Sequence, residues 1–230
     1  MNVDPTLPQG EEKATAVRSM FDAIAPRYDL VNRIMTFRMD VGWRKRAIRD
    51  LRLPAASLVA DLASGTGDLC IELRKGGHRP ISVDFSMGML RADRSGAPRV
   101  QGDVTNLGFR SASLDGAVSG FALRNFVDLG AFFDELGRTI RSGGRIALLD
   151  VATPPNPIMR AGHSVYFGKV VPLIGGLLSD PAAYRYLPKS VSYLPAPDVM
   201  LARLGDAGFF EVNRMLLSGG ISQLITATRR

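Results

Sequence analysis

A chain of 230 residues with 46% hydrophobic and 22% charged residues can build one sizeable core, a balance that neither disordered nor membrane-spanning chains have. Its 29 basic against 22 acidic side chains leave a net charge of +7, which directs attention to an anionic partner: nucleic acid, a membrane surface or an acidic substrate. One cysteine, Cys70, excludes an internal disulfide and fits a reducing cytoplasm, and with two scattered histidines it makes no zinc set, so no metal is expected.

Residues 1–10 read as a disordered start, without the cationic and apolar segments of a signal peptide. Over 11–52 the pattern is helical, interrupted by Pro26. Arg44, Lys45, Arg46, Arg49 and Arg52 crowd its last stretch, a basic helix suited to anionic lipid. Alternation follows: strand 57–62, helix 67–75, strand 80–84, helix 86–93, strand 98–102, strand 114–119, helix 129–141 and strand 145–151. Strands alternating with helices predict an α/β fold, a parallel sheet with helices on both faces. Residues 152–190, rich in Pro, Gly, Tyr and aliphatics, show no clean period and read as an irregular lid beyond the carboxyl end of a strand. The most apolar run there, 170–178, is far short of the ~20 residues a membrane helix needs. A helix at 197–206 and two strands joined at Ser218-Gly219-Gly220 close the chain. The expected organisation is one domain over 11–230, with 11–52 as a helical cap and 152–190 as the lid.

The stretch from Leu58 to Leu69 carries the chemistry. An apolar strand ends at Asp61-Leu62, and Ala63-Ser64-Gly65-Thr66-Gly67 turns into a helix. Glycines at 65 and 67 let the backbone turn sharply and approach a ligand closely. Asp84, 23 residues after Asp61, stands where a carboxylate can accept hydrogen bonds from both hydroxyls of a ribose. The third glycine of a dinucleotide fingerprint is missing, since position 70 is Cys, and Asp68 puts an acid where a pyrophosphate wants the positive end of a helix. An acid there suits a cationic or neutral group. S-adenosylmethionine (SAM), with its sulfonium and amino-acid moiety, fits.

Four further blocks stand in order. They are Met20-Phe21-Asp22 with Ala25-Pro26-Arg27-Tyr28-Asp29-Leu30-Val31-Asn32 and Trp43-Arg44; Phe121-Ala122-Leu123-Arg124-Asn125; Arg138 through Gly143-Gly144 to Asp150; and Tyr184-Arg185-Tyr186-Leu187-Pro188-Lys189-Ser190. On these the chain, from about residue 17 to its end, resembles the ubiquinone/menaquinone biosynthesis C-methyltransferases. The resemblance implies a class I SAM-dependent methyltransferase, Rossmann-like, with a mostly parallel seven-stranded sheet, an N-terminal helical cap and a lid inserted after the fifth strand. It assigns Thr66 to the carboxylate end of SAM, Asp84 to the ribose, and Asp103 and Val104 to the adenine. Asp61, Ser64, Gly65, Gly67, Phe85 and Gly120 complete the expected cofactor site. Three positions depart from the family pattern: Gly120 replaces a usual Ser, displaced here to Ser119; Asp40 stands where many members have His; and Asp150 replaces a usual Glu.

Methyl transfer to a ring carbon needs an electron-rich acceptor, and a quinol becomes one when a hydroxyl loses its proton. Arg124, permanently charged, is expected to stabilise the phenolate or an activated water, with Asn125 orienting it and Tyr28 and Asp29 closing over the cofactor and methyl group. His163 in the lid is a further candidate base, whereas His78 reads as solvated. Phe167, Val170, Val171, Leu173, Ile174, Leu177 and Leu178 form an apolar lip for a prenyl tail. The resemblance therefore implies a lipid quinol as substrate, demethylmenaquinol first. It also implies a cytoplasmic protein in peripheral contact with the inner face of the membrane, as a monomer or a homodimer. Two alternatives stay open: methylation of another aromatic small molecule or natural product, and a catalytically silent SAM-binding partner protein. Nucleic acid is not expected, because the basic residues are not interleaved with aromatics and no RNA-binding module stands out.

Overall fold

The computed structural model describes residues 8–178 and 180–230. Most of the expected disordered start, residues 1–7, lies outside the described residues, and Gly10 already opens α1 (Gly10–Ile24). Pro26 breaks the helical run through its missing N–H and fixed φ. A 3-10 turn, Ala25–Arg27, leads into α2 (Tyr28–Met35). Phe37 and Arg38, at φ 50° and 61°, then turn the chain into α3 (Met39–Leu51). Of the five basic residues at its end, Lys45, Arg49 and Arg52 are exposed, which leaves part of the expected basic face outward. Trp43, Ala47, Ile48 and Leu51 share one side of α3 and pack on the sheet. Arg44, one turn after Asp40, is turned inward and buried against it, and Arg46 pairs with Asp50.

Next come β1 (Leu58–Leu62), α4 (Asp68–Lys75), β2 (Arg79–Asp84), α5 (Met87–Ala92), β3 (Arg99–Gln101), β4 (Leu114–Gly120), α6 (Leu129–Thr139) and β5 (Ile140–Val151). After the lid follow α10 (Pro197–Asp206), β6 (Phe209–Leu217) and β7 (Ser222–Arg229), the last two meeting at the predicted turn Ser218–Gly220. The strands form one seven-stranded sheet in the order β3-β2-β1-β4-β5-β7-β6, with β7 antiparallel to both neighbours. Phe132, Phe133 and Leu136 of α6 and Met200 and Leu204 of α10 fill one face; α3 with Leu69 and Leu73 of α4 fills the other. Burial of each such side chain contributes about 1.5–3 kcal/mol. Strand β5 begins earlier than its sequence predicts, because Arg141–Gly144 bulge within it: Leu114 pairs with Ile140, and Gly116 already with Arg145.

The lid is helical, not irregular. It comprises α7 (Pro157–Val165), a π-helical turn at Tyr166–Val170, α8 (Val171–Leu178) and α9 (Pro181–Ser190). Its prolines hide the period: Pro157 opens α7, where no N–H is needed, and Pro172 lies in the first turn of α8. Gly175 lets α8 meet α9, since a Cβ there would enter the Tyr184 ring. Strands β1 and β4 are parallel neighbours, and the order in which successive strands are added to the sheet reverses between them. Loops leaving those two carboxyl ends bound a single crevice, so the turn after Leu62 and the loop after Gly120 face each other.

Candidate active site

Gly65 and Gly67 have different tasks. Both have positive φ, 57° and 84°. A Cβ at Gly65 would find only Met89 and Tyr28 at 3.9–4.0 Å, so this glycine fronts open space. At Gly67 a Cβ would run into the Asp93 carboxylate and Ser95, which makes that residue a packing glycine and not a point of ligand approach. Asp84, at the tip of β2, is held on both oxygens: Gly65 N–H donates to Oδ2 and Ser86 N–H to Oδ1, each at 2.8 Å. Burial pushes its carboxyl up to about 6, against the opposing pull of those amides. Ser64 shares a 2.7 Å hydrogen bond with the Ser82 hydroxyl, which donates in turn to Asp93.

Around this turn lie three connected spaces. The first, about 440 Å³, is bounded by Gly65, Asp84, Phe85, Asp103, Val104 and Gly120, and roofed by Ala14, Val17, Arg18 and Phe21 of α1. The Arg18 guanidinium sits 5.0 Å above the exposed Phe85 ring, a contact no local sequence pattern announced. Lys13 pins the same helix, donating to Phe126 O at 2.7 Å beneath the Tyr193 ring. Asp103 is exposed and accepts from the Thr105 amide and hydroxyl, whereas Val104 is buried.

A second space, about 30 Å³, is enclosed by Asp61, Ser64, Gly65, Thr66, Asp68 and Arg44, with Tyr28 and Gly120 at its edge. The acid expected to meet a cationic ligand group here was Asp68. Arg33 donates to Asp68 at 2.8 Å and Arg44 stands 3.4 Å from it, so its charge is already balanced. Asp61 is the unbalanced acid. Its Oδ2 accepts from the Cys70 amide at 3.1 Å, and its buried Oδ1 has no hydrogen-bond partner. Burial raises this carboxyl to about 7, with the Cys70 bonds and Arg44 opposing. An acid so shifted favours the fold fully below about pH 4, and that contribution is lost as the pH rises through about 7. Asp61→Asn should therefore raise the melting temperature of the free protein more at pH 8 than at pH 5. Equal shifts in calorimetry at both pH values would contradict the burial of this carboxylate. Thr66 donates its hydroxyl to Asp29 at 2.5 Å, and Asp29 pairs with Arg94, so the cap closes on the turn.

The third space, about 330 Å³ and mostly apolar, lies between α1–α3 and the lid; Met20, Phe37, Met159, Tyr166, Phe167 and Tyr184 are among its walls. Arg124, Arg44, Asp40 and His163 bring charge or polarity to it. Arg124 is buried and fixed on three sides. It donates through Nη1 to Asp150 at 2.6 Å, through Nε to Ser190 Oγ at 3.2 Å, and through its amide to Asp150 at 3.4 Å. Asn125, expected to orient it, points elsewhere: it lines the first space, and its Oδ1 accepts from the Tyr186 hydroxyl at 3.3 Å. The 3-10 turn Leu123–Asn125 splays the two side chains apart, so Asp150 and Ser190 hold the guanidinium instead. Ser119, the displaced serine, is inside the sheet and donates to Leu62 O at 2.7 Å, out of reach of any ligand. His163 stacks on Phe167, ring centroids 5.0 Å apart, and burial lowers its pKa, which keeps the imidazole neutral. His78, expected in solvent, is half-buried. The apolar lip divides: Phe167 and Val171 face the cavity, and Leu173 and Leu177 face solvent.

Tyr28 borders all three spaces, and Phe121 borders the first and third. Burial raises the Tyr28 pKa, with Arg124 and Arg44 opposing, so the phenol keeps its proton. The seam at Tyr28 joins a polar, acid-bearing pocket to an apolar one. The unpartnered Asp61 oxygen, the open front of Gly65 and the ribose-spaced Asp84 together fit SAM.

The ubiE/COQ5 methyltransferase family matches residues 9–229. A demethylmenaquinone methyltransferase of Roseiflexus castenholzii is 38% identical over 97% of this chain and 98% of its own. A ubiquinone/menaquinone biosynthesis C-methyltransferase of Syntrophotalea carbinolica is 38% identical over 92% and 93%. Among solved structures, a SAM-dependent methyltransferase of Thermotoga maritima shares the fold, with TM-score 0.65 at 18% identity over 93% of this chain and 99% of that one. A Haemonchus contortus phosphoethanolamine N-methyltransferase crystallised with SAM gives 0.59 at 10% identity, over 81% and 52%. SAM is the cofactor. Because the family match takes in cap, sheet and lid alike, the chain belongs to the ubiE/COQ5 methyltransferase family and is a SAM-dependent methyltransferase.

Proposed function

We propose that this enzyme methylates a ring carbon of a demethylated isoprenoid quinol, demethylmenaquinol first, in respiratory quinone biosynthesis. The carrying observation is the apolar cavity of about 330 Å³ that holds a buried, ion-paired arginine and meets the cofactor side at Tyr28 and Phe121. A quinol ring fits such a wall, and its charge on deprotonation needs the cation.

Asp84 receives the ribose hydroxyls, Asp103 and Val104 the adenine edge, with Phe85 and Gly120 beside them. Asp61, Ser64 and Thr66 take the amino-acid end, where the unpartnered Asp61 oxygen accepts from an ammonium. SAM supplies an electrophilic methyl group. His163, neutral on the cavity wall, accepts the quinol hydroxyl proton, and negative charge spreads to the adjacent ring carbon; that carbon takes the methyl as the sulfonium–methyl bond breaks, leaving a neutral thioether, and its hydrogen then departs as a proton, which restores the aromatic ring. The Arg124 guanidinium and the Tyr28 hydroxyl, protonated throughout, stabilise the oxygen, and Asn125 holds the loop that carries Arg124 to the lid tyrosine Tyr186. The acceptor is held in lipid, so the enzyme works in peripheral contact with the inner face of the membrane. No helix among the described residues is long and apolar enough to cross one.

The test is transfer of labelled methyl from SAM to a short-chain demethylmenaquinol analogue, with the product gaining one methyl on the ring. Labelling of a hydroxyl oxygen, or of phenols lacking a quinol ring in preference, would reject the assignment.

A further inference from the structure

The geometry points to a membrane-docking face: α2 and the lid helices α7 and α8 together lay the mouth of the apolar cavity on an anionic bilayer. This rests on the quinol reading and adds where on the protein the lipid stands. Eight of the fifteen exposed large apolar side chains among the described residues fall in two segments, 30–37 and 158–177. Leu30, Ile34 and Phe37 come from α2 and its end, Ile158 from α7, and Leu173 and Leu177 from α8.

Helix geometry makes the two segments one surface. Val31 and Met35 turn inward with Val171, in the cluster that joins cap and lid. Leu30 and Ile34, one position back along α2, stay outside, as do Leu173 and Leu177, spaced one turn apart on α8. The seam is closed by the Phe37 and Tyr166 rings, 5.8 Å apart, and by the Tyr166 hydroxyl donating to Met35 O at 2.8 Å. Phe37 is 72% exposed and also walls the cavity, so the outer apolar face continues into the acceptor space.

Charge selects the occupant. Neither 30–39 nor 151–178 contains a single Asp or Glu, while Arg38, Arg160 and Lys169 lie in them; the remaining cation, Arg33, is paired inward with Asp40 and Asp68. Arg38 and Lys169 are exposed, and exposed Arg27 donates to Leu178 O at 3.0 Å, at the end of α8. An apolar patch rimmed by cations and free of acids complements anionic lipid headgroups over acyl chains. A second copy of the chain would bring the same cations against these and cover the cavity mouth.

The experiment uses full-length protein and vesicles of phosphatidylglycerol with phosphatidylcholine, against phosphatidylcholine alone. Leu173→Glu/Leu177→Glu changes two side chains outside both the core and the cavity, so the variant keeps its melting temperature. Its partition onto anionic vesicles should fall at least ~10-fold. Methylation of a short-chain soluble quinol should stay unchanged, and that of a long-chain quinol in vesicles should fall with the partition. Equal partition of wild type and variant overturns the docking face, as does binding indifferent to anionic lipid. A change in oligomeric mass on sedimentation, with partition unaltered, assigns the face to a second copy and overturns it too. Failure of the wild type on the short-chain quinol strikes the acceptor assignment, while vesicle partition decides the docking face by itself.

Discussion

Arg124→Lys is expected to lower kcat for quinol methylation ~10²–10³-fold, the usual loss when one oriented donor to a developing oxyanion is removed, while SAM affinity stays nearly constant. Lysine keeps the charge but not the fork that now joins Nη1 to Asp150 and Nε to Ser190. The alanine variant answers a different question. It leaves the Asp150 carboxylate, fully buried, without its counter-ion. That costs about 3–5 kcal/mol, a large part of the stability of a domain this size. Loss of activity in Arg124→Ala would therefore report unfolding as much as chemistry. The lysine variant, checked by its melting temperature and by calorimetric SAM binding, separates the two. A folded Arg124→Lys protein with full single-turnover rate would remove Arg124 from the mechanism.

Asp84→Asn should weaken SAM binding by about 1.5–3 kcal/mol, roughly 10- to 100-fold, the worth of a hydrogen bond to a charged acceptor. The carboxylate uses both oxygens to hold the Gly65 and Ser86 amides, and an amide side chain can accept from only one side. A pH dependence goes with it. Because burial places this carboxyl at about 6, wild-type affinity should rise as the pH is brought from 5 to 8, and the asparagine variant should lack the part of that rise centred near 6. Titration calorimetry at the two pH values reads both effects. Asp103→Asn, at an exposed position, should cost less. Equal losses at the two sites would put the ribose elsewhere.

The cofactor half of the site was legible because its determinants are local. A glycine turn between a strand and a helix, and an acid at the end of the next strand, are set by backbone sterics and by the length of one β-α-β unit; the switch between β1 and β4 then brings the Phe121–Asn125 loop opposite. The acceptor half was less so. Arg44 read as one of five basic residues on a helix suited to anionic lipid, yet Asp40 and Asp68 draw it into the wall between two cavities. Asp68 read as the ligand's counter-charge, yet it is spent on Arg33 and Arg44, and Asp61 is the acid left over. The Asp40–Arg44 pair is spaced one helical turn apart, but the pairing of Arg33 and Arg44 with Asp68, in another element further along the chain, has no signature in a linear pattern. The lid helices escaped notice because proline and glycine, which usually end helices, sit here at first turns, at a helix crossing and, at Pro188, inside α9.

By itself the sequence determined the parallel α/β plan and the nucleoside turn with its distant carboxylate, since each follows from residue type and short-range spacing; the arginine-bearing loop and the lid block stood out only through the resemblance to a family. Only the tertiary structure decided which acid is unpaired, which partners fix Arg124, and which apolar side chains are left facing out beside the cavity mouth. Those outcomes depend on what each side chain meets across the fold, where desolvation makes an ion pair or an orphaned oxygen count for far more than it would in water.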